Sequence, residues 1–230
     1  MQTKLFLIAA TVFLCSFSIT SFSQKQTRNV DTFTGISLGV SADLYLTTNE
    51  SQRVVLEGDE DILDRIETSV KNGRLIIKSG NNNWWKGFSG KINIYVSVRD
   101  IDYISLSGSG KIFGKNTIEG DRLKLSVSGS GDMRLQINVD ELDQGISGSG
   151  DLELRGKVRD VSTTVSGSGS LDAEELVADS HEIRISGSGK CRIHAEKEID
   201  ARISGSGSIY YKGDPNIRSA TSGSGKIRPL

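Results

Sequence analysis

The sequence is poor in the residues that most often form covalent cross-links, bind metals or act as nucleophiles. Its 230 residues include two cysteines, two histidines and two prolines. Two cysteines cannot build a disulfide framework, and two histidines without further ligands at metal spacing give no zinc motif. Cohesion must therefore come from a buried apolar core, and we expect no cofactor.

Charge and aromatic content exclude further classes of protein. Lys and Arg number 28 against 29 Asp and Glu, which gives a formal net charge of −1, and aromatic residues make up 6%. No basic cluster marks a nucleic-acid groove or a membrane-surface tract. Nucleic acid is therefore not expected as a partner.

The N-terminus has the pattern of an export signal. Lys4 precedes the apolar run Leu5–Phe17, and Ser21 and Ser23 provide the small residues of a cleavage site. Residues 1–23 are therefore predicted to be a signal peptide, too short and Ser-rich to persist as a membrane anchor. Leu14 stands where a lipoprotein signal needs a small residue before Cys15, so no lipid anchor is expected. We expect export to the periplasm, the outer surface or the extracellular space, with no integral membrane segment after cleavage.

A tetrapeptide repeat dominates the rest of the chain. Ser-Gly-Ser-Gly occurs seven times, and successive copies begin 21, 19, 19, 20, 18 and 18 residues apart. A motif that recurs at a near-constant period is the mark of a repeat architecture. The copies begin at Ser107, Ser128, Ser147, Ser166, Ser186, Ser204 and Ser222.

Apolar residues alternate with polar ones on both sides of each motif, as in strands with one buried face. One such unit cannot bury its own apolar face, whereas stacked units share a continuous core. The sequence therefore predicts an all-β fold, a right-handed parallel β-helix with coils of 18–21 residues. Right-handed winding is expected because crossover connections between parallel strands are overwhelmingly right-handed.

Alternation also predicts which side chains face the core. Both glycines of each motif are expected inward and both serines outward, where the serines form ladders along the solenoid. Cys191 falls at an inward position, so we expect it to pack as a small hydrophobe. A further inward position is expected 11 residues after the first Ser, at Ile118, Val139, Val158 and Val177.

The repeat continues upstream in degraded form. Residues 36–46 follow the same pattern as residues 123–135, and a short helix is plausible within residues 59–68. We expect residues 24–100 to form irregular N-terminal β coils that cap the solenoid, and residues 101–230 to form the regular coils. Together they make one continuous domain over residues 30–228.

Two candidate sites emerge. Trp84 and Trp85 follow Asn82 and Asn83 in an amide-rich loop, which suits stacking on a sugar or contact with a protein; capping of the core by one Trp is the alternative. Asp132 and Asp151 share a repeat position, so stacking would pair two carboxylates that are a weak candidate for a Ca²⁺ site or for acid–base chemistry. A simple outward charge ladder that includes Lys111 is the other interpretation.

The serial motifs, the opening Phe33-Thr-Gly-Ile-Ser, the Trp-bearing loop and the C-terminal Tyr-Lys-Gly-Asp-Pro215 resemble the auto-transporter adhesin head GIN domain family. The resemblance implies a right-handed β-helix in secreted or envelope proteins, frequent in Bacteroidota, and it provides no catalytic residues. We therefore expect an exported, non-enzymatic, adhesin-like protein that binds a surface glycan or protein. The alternative is a polysaccharide-active β-helix enzyme, because β-helices also host such chemistry.

Overall fold

The computed structural model of the protein describes residues 24–80 and 90–230, so the predicted signal peptide lies outside the described part. Within these ranges the chain forms strands and one short helix. They are β1 Gln24–Arg28, β2 Gly35–Leu38, β3 Asp43–Thr47, β4 Arg53–Gly58, α1 Glu60–Leu63, β5 Ile66–Lys71, β6 Arg74–Ser79, β7 Asn93–Ser97, β8 Tyr103–Gly108, β9 Lys111–Gly129, β10 Asp132–Gly148, β11 Asp151–Gly167, β12 Ser170–Gly187, β13 Lys190–Gly205, β14 Ser208–Lys212, β15 Asn216–Gly223 and β16 Lys226–Pro229.

The long strands β9 to β13 are each one coil of a solenoid. Every coil pairs in parallel with the next, and each motif lies beside its counterpart, as Ser147 beside Ser166. About seven turns of roughly 19 residues stack in this way. The prediction of an all-β parallel solenoid is confirmed.

The core consists of columns of equivalent side chains, one from each coil. One column contains Ile112, Met133, Leu152, Leu171, Cys191 and Ile209, each at most 1% exposed. Cys191 is therefore buried among apolar side chains as predicted, and burial raises the pKa of its thiol to about 12. A thiol held in its neutral form packs like a small apolar group.

The Ser-Gly motif turns a corner, and its two glycines play different roles. The second glycine is buried, as at Gly131 and Gly150. The first is half-buried with a positive φ, +113° at Gly148, and a Cβ on it would point at the backbone of the preceding coil, so the expectation that both glycines point inward is wrong for the first. Strand alternation itself continues through the corner, because Ser147 and Ser149 are exposed and Gly150 is buried.

Backbone hydrogen bonds continue through the corner. The N–H of Ser149 donates to the carbonyl of Gly129 at 2.9 Å, and the N–H of Ser168 donates to the carbonyl of Gly148 at 2.9 Å. A Cβ on Gly148 would lie 2.5 Å from the carbonyl oxygen of Gly129. The corner thus needs glycine both for its dihedral angles and for the close approach of the preceding coil.

One further local expectation from the sequence is also wrong. Val177 is only half-buried, and Leu176 and Ala178 point inward instead, because a register shift in the pairing of β11 with β12 moves the inward positions by one residue. The short helix that was plausible within residues 59–68 is present as the four residues of α1, with Asp59 at its N-cap, and the chain enters strand β5 at Ile66.

The N-terminal coils do not stack in chain order. The coil made by β2 and β3 pairs on one side with the coil made by β8 and β9. On its other side it pairs with the strands β6 and β7. Beyond β6 and β7, the strands β4, β1 and β5 pair antiparallel. The segment after β3 therefore folds back over the first coil and covers the N-terminal end of the apolar columns.

A few polar side chains interrupt the core. Gln144 and Thr163 are both 1% exposed, and the Gln144 amide donates to the Thr163 hydroxyl at 2.9 Å. His181 is 2% exposed, its Nε2 lies 3.3 Å from the carbonyl of His194, and its Nδ1 has no partner. Burial lowers the pKa of His181 from its ordinary 6.5 to about 4.

Substitution of the corner glycine should test the role of positive φ. We expect Gly148→Ala to lower the free energy of unfolding by more than about 2 kcal/mol, through strained dihedral angles and the clash with Gly129. Gly145 is a matched control in the same strand, since a Cβ there meets nothing within 4 Å. Gly145→Ala should be neutral or stabilising by about 0.5–1 kcal/mol. Urea denaturation gives both values, and equal effects would contradict this account of the corner.

Acid should destabilise the fold through His181. Because its pKa is lower in the folded state, the unfolded chain binds more protons between pH 6.5 and 4. The full free energy of unfolding is therefore present above pH 6.5. It decreases as the pH drops through this window, by about 2 kcal/mol at pH 5. The variant His181→Leu should lose this part of the pH dependence in denaturation measured at pH 7 and pH 5. If the variant shows the same difference in stability between pH 7 and pH 5 as the native chain, His181 is not the titrating group.

Candidate binding surface

The outward side chains form ladders along the solenoid, in the same register as the core. Many of their charges are paired between adjacent coils. Pairs of this kind include Lys111–Asp132 at 3.0 Å, Lys124–Asp143 at 2.6 Å, Arg134–Glu153 at 3.0 Å and Arg192–Glu174 at 3.1 Å. Each is at least partly exposed and contributes at most about 1 kcal/mol. Most lateral carboxylates therefore already have a cationic neighbour.

Asp132 and Asp151 are direct neighbours in register, as the repeat spacing predicted. Lys111 forms an ion pair with Asp132, and Ser170 follows Asp151 in the ladder. Within residues 24–80 and 90–230, no group of three or more His, Cys, Asp or Glu side chains is placed to hold a metal ion. Binding of a cation between Asp132 and Asp151 stays an untested prediction, and it rests on two carboxylates alone.

The loop with Asn82, Asn83, Trp84 and Trp85 lies outside the described residues. Its role in binding remains a prediction from the sequence. Strand β7 begins shortly after this loop. It contains Tyr95, which belongs to a second feature of this surface, a stack of aromatic side chains.

Three aromatic side chains stack on one lateral face. Tyr95 of β7, Tyr45 of β3 and Phe113 of β9 lie on adjacent strands, with ring centroids 5.4 Å and 5.5 Å apart and planes inclined by 20° and 19°. Tyr95 is 37% exposed, which places it among the exposed large apolar side chains of the described chain. Exposed aromatic rings are frequent in binding surfaces because they offer apolar area with little loss of side-chain entropy.

Cations flank this stack. The Lys25 ammonium lies 5.8 Å from the ring centroid of Tyr95, Lys115 lies 4.4 Å from that of Tyr45, and the Arg134 guanidinium lies 5.7 Å from that of Phe113. We call these six residues the aromatic–cation ladder. Their contacts satisfy the cation–π geometry and hold the side chains in a fixed arrangement.

The edge of the ladder is also anchored by a hydrogen bond. The Tyr95 hydroxyl donates to a carboxylate oxygen of Glu57 at 2.8 Å. This hydrogen bond raises the pKa of Tyr95, with a smaller effect from burial. The ring is thereby held as a neutral phenol that presents part of its surface to solvent.

Sequence reasoning missed this ladder. Tyr45 and Phe113 occupy the same repeat position, two residues after Asp43 and Lys111, and this equivalence was a usable signal. Tyr95 carries no such signal, because it joins the stack only through the fold-back that places β7 beside β3. Across the described ranges, no helix is long and apolar enough to cross a membrane.

These features define the class of protein. It is a parallel β-solenoid whose lateral faces present regular ladders of side chains, an architecture that provides extended binding surfaces. Residues 32–215 match the family described as "Putative auto-transporter adhesin, head GIN domain", and the chain belongs to this family. The resemblance noted in the sequence is thus confirmed.

Solved structures agree with this assignment. A "putative adhesin" from Bacteroides fragilis is similar over 92% of this chain and 98% of its own, with a TM-score of 0.86 and 26% identity. A "putative lipid binding protein" from Parabacteroides distasonis covers 90% of this chain and 96% of its own, with a TM-score of 0.73 and 26% identity. A "putative adhesin" from the same species, at 19% identity and a TM-score of 0.75 over 91% of this chain and 98% of its own, supports the fold alone. No curated protein matches the sequence.

Calcium provides a test of the aspartate pair. Because Asp132 already has Lys111 as its partner and only two carboxylates meet, we expect Ca²⁺ to leave the thermal unfolding midpoint unchanged. Differential scanning calorimetry with CaCl₂ and with EGTA makes the comparison. A midpoint that rises with Ca²⁺ and no longer does so in Asp151→Asn would establish a cation site instead.

Proposed function

We propose that this chain is an exported, adhesin-like binding protein without catalytic activity, and that it recognises a glycan or a protein on a surface. The aromatic–cation ladder and the segment with Asn82, Asn83, Trp84 and Trp85 are its contact points. The periplasm, the outer surface and the extracellular space are the compartments consistent with the predicted signal peptide.

The aromatic–cation ladder is the observation that carries the proposal. Rings and long aliphatic amines lie in one fixed row on a sheet face, so little conformational entropy is lost when a ligand binds. Partly exposed rings suit the C–H faces of sugars and the apolar side chains of proteins, and the flanking cations orient polar groups.

The comparisons support a binding role through their names. The Bacteroides fragilis neighbour is described as an adhesin, and the Parabacteroides distasonis neighbour as lipid binding. Both descriptions are of binding proteins and neither is of an enzyme. We infer a glycan or protein ligand for this chain, since the stacked rings of the aromatic–cation ladder lie in an open row on a lateral face.

The alternative of a polysaccharide-active enzyme has less support. A glycosidase needs a pair of carboxylates free to act as acid and base. Here Asp132, Asp143 and Glu153 are each engaged by a cation from the preceding coil. Of the candidate pair, therefore, only Asp151 has no ion-pair partner among the described residues.

The test compares two tyrosines that share a repeat position, one in the aromatic–cation ladder and one near the far end of the solenoid. Tyr95→Ala should weaken binding of the purified protein to its ligands, on a glycan array and on intact cells, by about tenfold or more. Tyr210→Ala is the matched control. It removes a tyrosine from the equivalent repeat position near the far end, where Lys190 lies 5.1 Å from the ring centroid. Trp84→Ala and Trp85→Ala test the loop separately, with circular dichroism as a check of folding.

Equal binding by all four variants and the native chain would overturn the proposed contact points. Release of reducing sugars from any polysaccharide on the array would overturn the non-enzymatic assignment. Binding to phosphatidylglycerol vesicles without binding to any glycan or cell protein would replace the proposed ligand class by a lipid.

A further inference from the structure

A second surface feature lies on another part of the solenoid, beside the Ser-Gly corner of the last coils. A groove of about 540 Å³ runs along the solenoid axis and crosses four coils. With neighbouring strands about 4.8 Å apart, it is roughly 14 Å long. We call it the Arg–Ser groove after the residues used below, which are Arg184, Arg202, Ser186, Ser204 and Ser222.

The walls of the groove are two ladders in register. Arg184 lies beside Arg202, and on the other wall Ser186, Ser204 and Ser222 follow one another from coil to coil. The Arg wall also contains Ala220, whereas Val165 and Ile203 lie beneath the groove with side chains at most 2% exposed. The groove therefore offers two guanidinium groups on one wall and a row of hydroxyls on the other.

The two arginines differ in how their charges are balanced. Arg184 bonds to the carboxylate of Glu182 in its own strand. Arg202 has no carboxylate oxygen within 4.0 Å in the described part of the chain, whereas its strand neighbour Arg192 pairs with Glu174. Like charges on facing positions of adjacent strands are unfavourable. An anion placed against Arg202 would remove this repulsion and complete the pattern of paired charges seen elsewhere.

Charge along the sequence points the same way. Residues 202–230 contain five Lys and Arg and one Asp, which gives a net charge of +4. Residues 1–201 contain 23 Lys and Arg and 28 Asp and Glu, which gives a net charge of −5. An anionic ligand is therefore attracted to the last coils and repelled by most of the remaining chain.

The serine wall selects among anions. Within the described residues, the hydroxyls of Ser186, Ser204 and Ser222 have no protein partner, so each can donate and accept a hydrogen bond. A sugar chain offers hydroxyls at regular intervals for this wall. An acyl chain would leave the hydroxyls unpaired, and the groove is too open to shield it from water.

We propose that the Arg–Ser groove binds a linear acidic glycan, in which carboxylate-bearing sugars lie along the solenoid axis with a carboxylate on Arg202. This inference rests on the proposed function, namely that the chain is a binding protein. It adds a second site, with its own ligand chemistry, to the contact points at the aromatic–cation ladder.

The experiment measures binding of a fluorescent oligogalacturonate to the full chain by polarisation, beside a neutral cello-oligosaccharide of equal length. Arg202→Gln should weaken oligogalacturonate binding about tenfold, since one charge-assisted hydrogen-bond pair is lost. Arg202→Lys should retain most of the affinity, and Arg192→Gln, an exposed arginine of the same strand on another ladder, should stay within about twofold of native. Added salt should weaken native binding.

Other outcomes overturn the proposal. Absence of oligogalacturonate binding, equal binding of the neutral oligosaccharide, or equal affinity of Arg202→Gln and Arg192→Gln would each exclude a specific acidic-glycan site. Binding of phosphatidylglycerol vesicles that depends on Arg202, without oligogalacturonate binding, would assign the groove to a lipid headgroup. If the groove fails but attachment to cells still depends on Tyr95, the proposed function stands; if neither binding is found, both fall.

Discussion

Every feature of this protein depends on the hydrogen-bonded register between adjacent coils. At each Ser-Gly corner, a serine N–H donates to the carbonyl of the glycine in the preceding coil, at 2.8–2.9 Å over six successive corners. These bonds align equivalent residues of neighbouring coils, so one amino-acid preference repeated along the sequence becomes a ladder in space. The corner is possible because glycine tolerates the positive φ and leaves room for the backbone of the preceding coil.

Inside the solenoid, this register turns a chain without a disulfide framework into a continuous core. Columns of aliphatic side chains fill the interior, and the buried Cys191 is one member of a column. Three of the buried polar side chains of the described residues lie close together in the stack. Gln144 pairs with Thr163, and His181 is held neutral by burial, at a cost in stability when the pH falls.

On the outer faces of the solenoid, the same register produces two kinds of ladder, those of oppositely charged pairs and those of like groups. Oppositely charged neighbours such as Lys124 and Asp143 neutralise one another and leave little for a ligand to gain. Stacked aromatic rings around Tyr45 and the adjacent arginines Arg184 and Arg202 are different, because they place like groups side by side. Rows of like groups are suited to a ligand that itself repeats, which agrees with an adhesin-like role for a member of this family.

The sequence by itself determined the fold class, the coil length, the burial of Cys191 and the pairing of Asp132 with Asp151, because all of these follow from a strict repeat. The right-handed winding and the role of the Trp84–Trp85 pair remain predictions. Only the tertiary structure decided which motif glycine turns the corner, since alternation of side chains does not distinguish the two glycines and the positive φ belongs to the first alone. It alone placed β6 and β7 beyond β2 and β3, and so brought Tyr95 onto Tyr45. That contact joins residues 50 positions apart in a region without a clear repeat, where local patterns hold no information about which strands become neighbours.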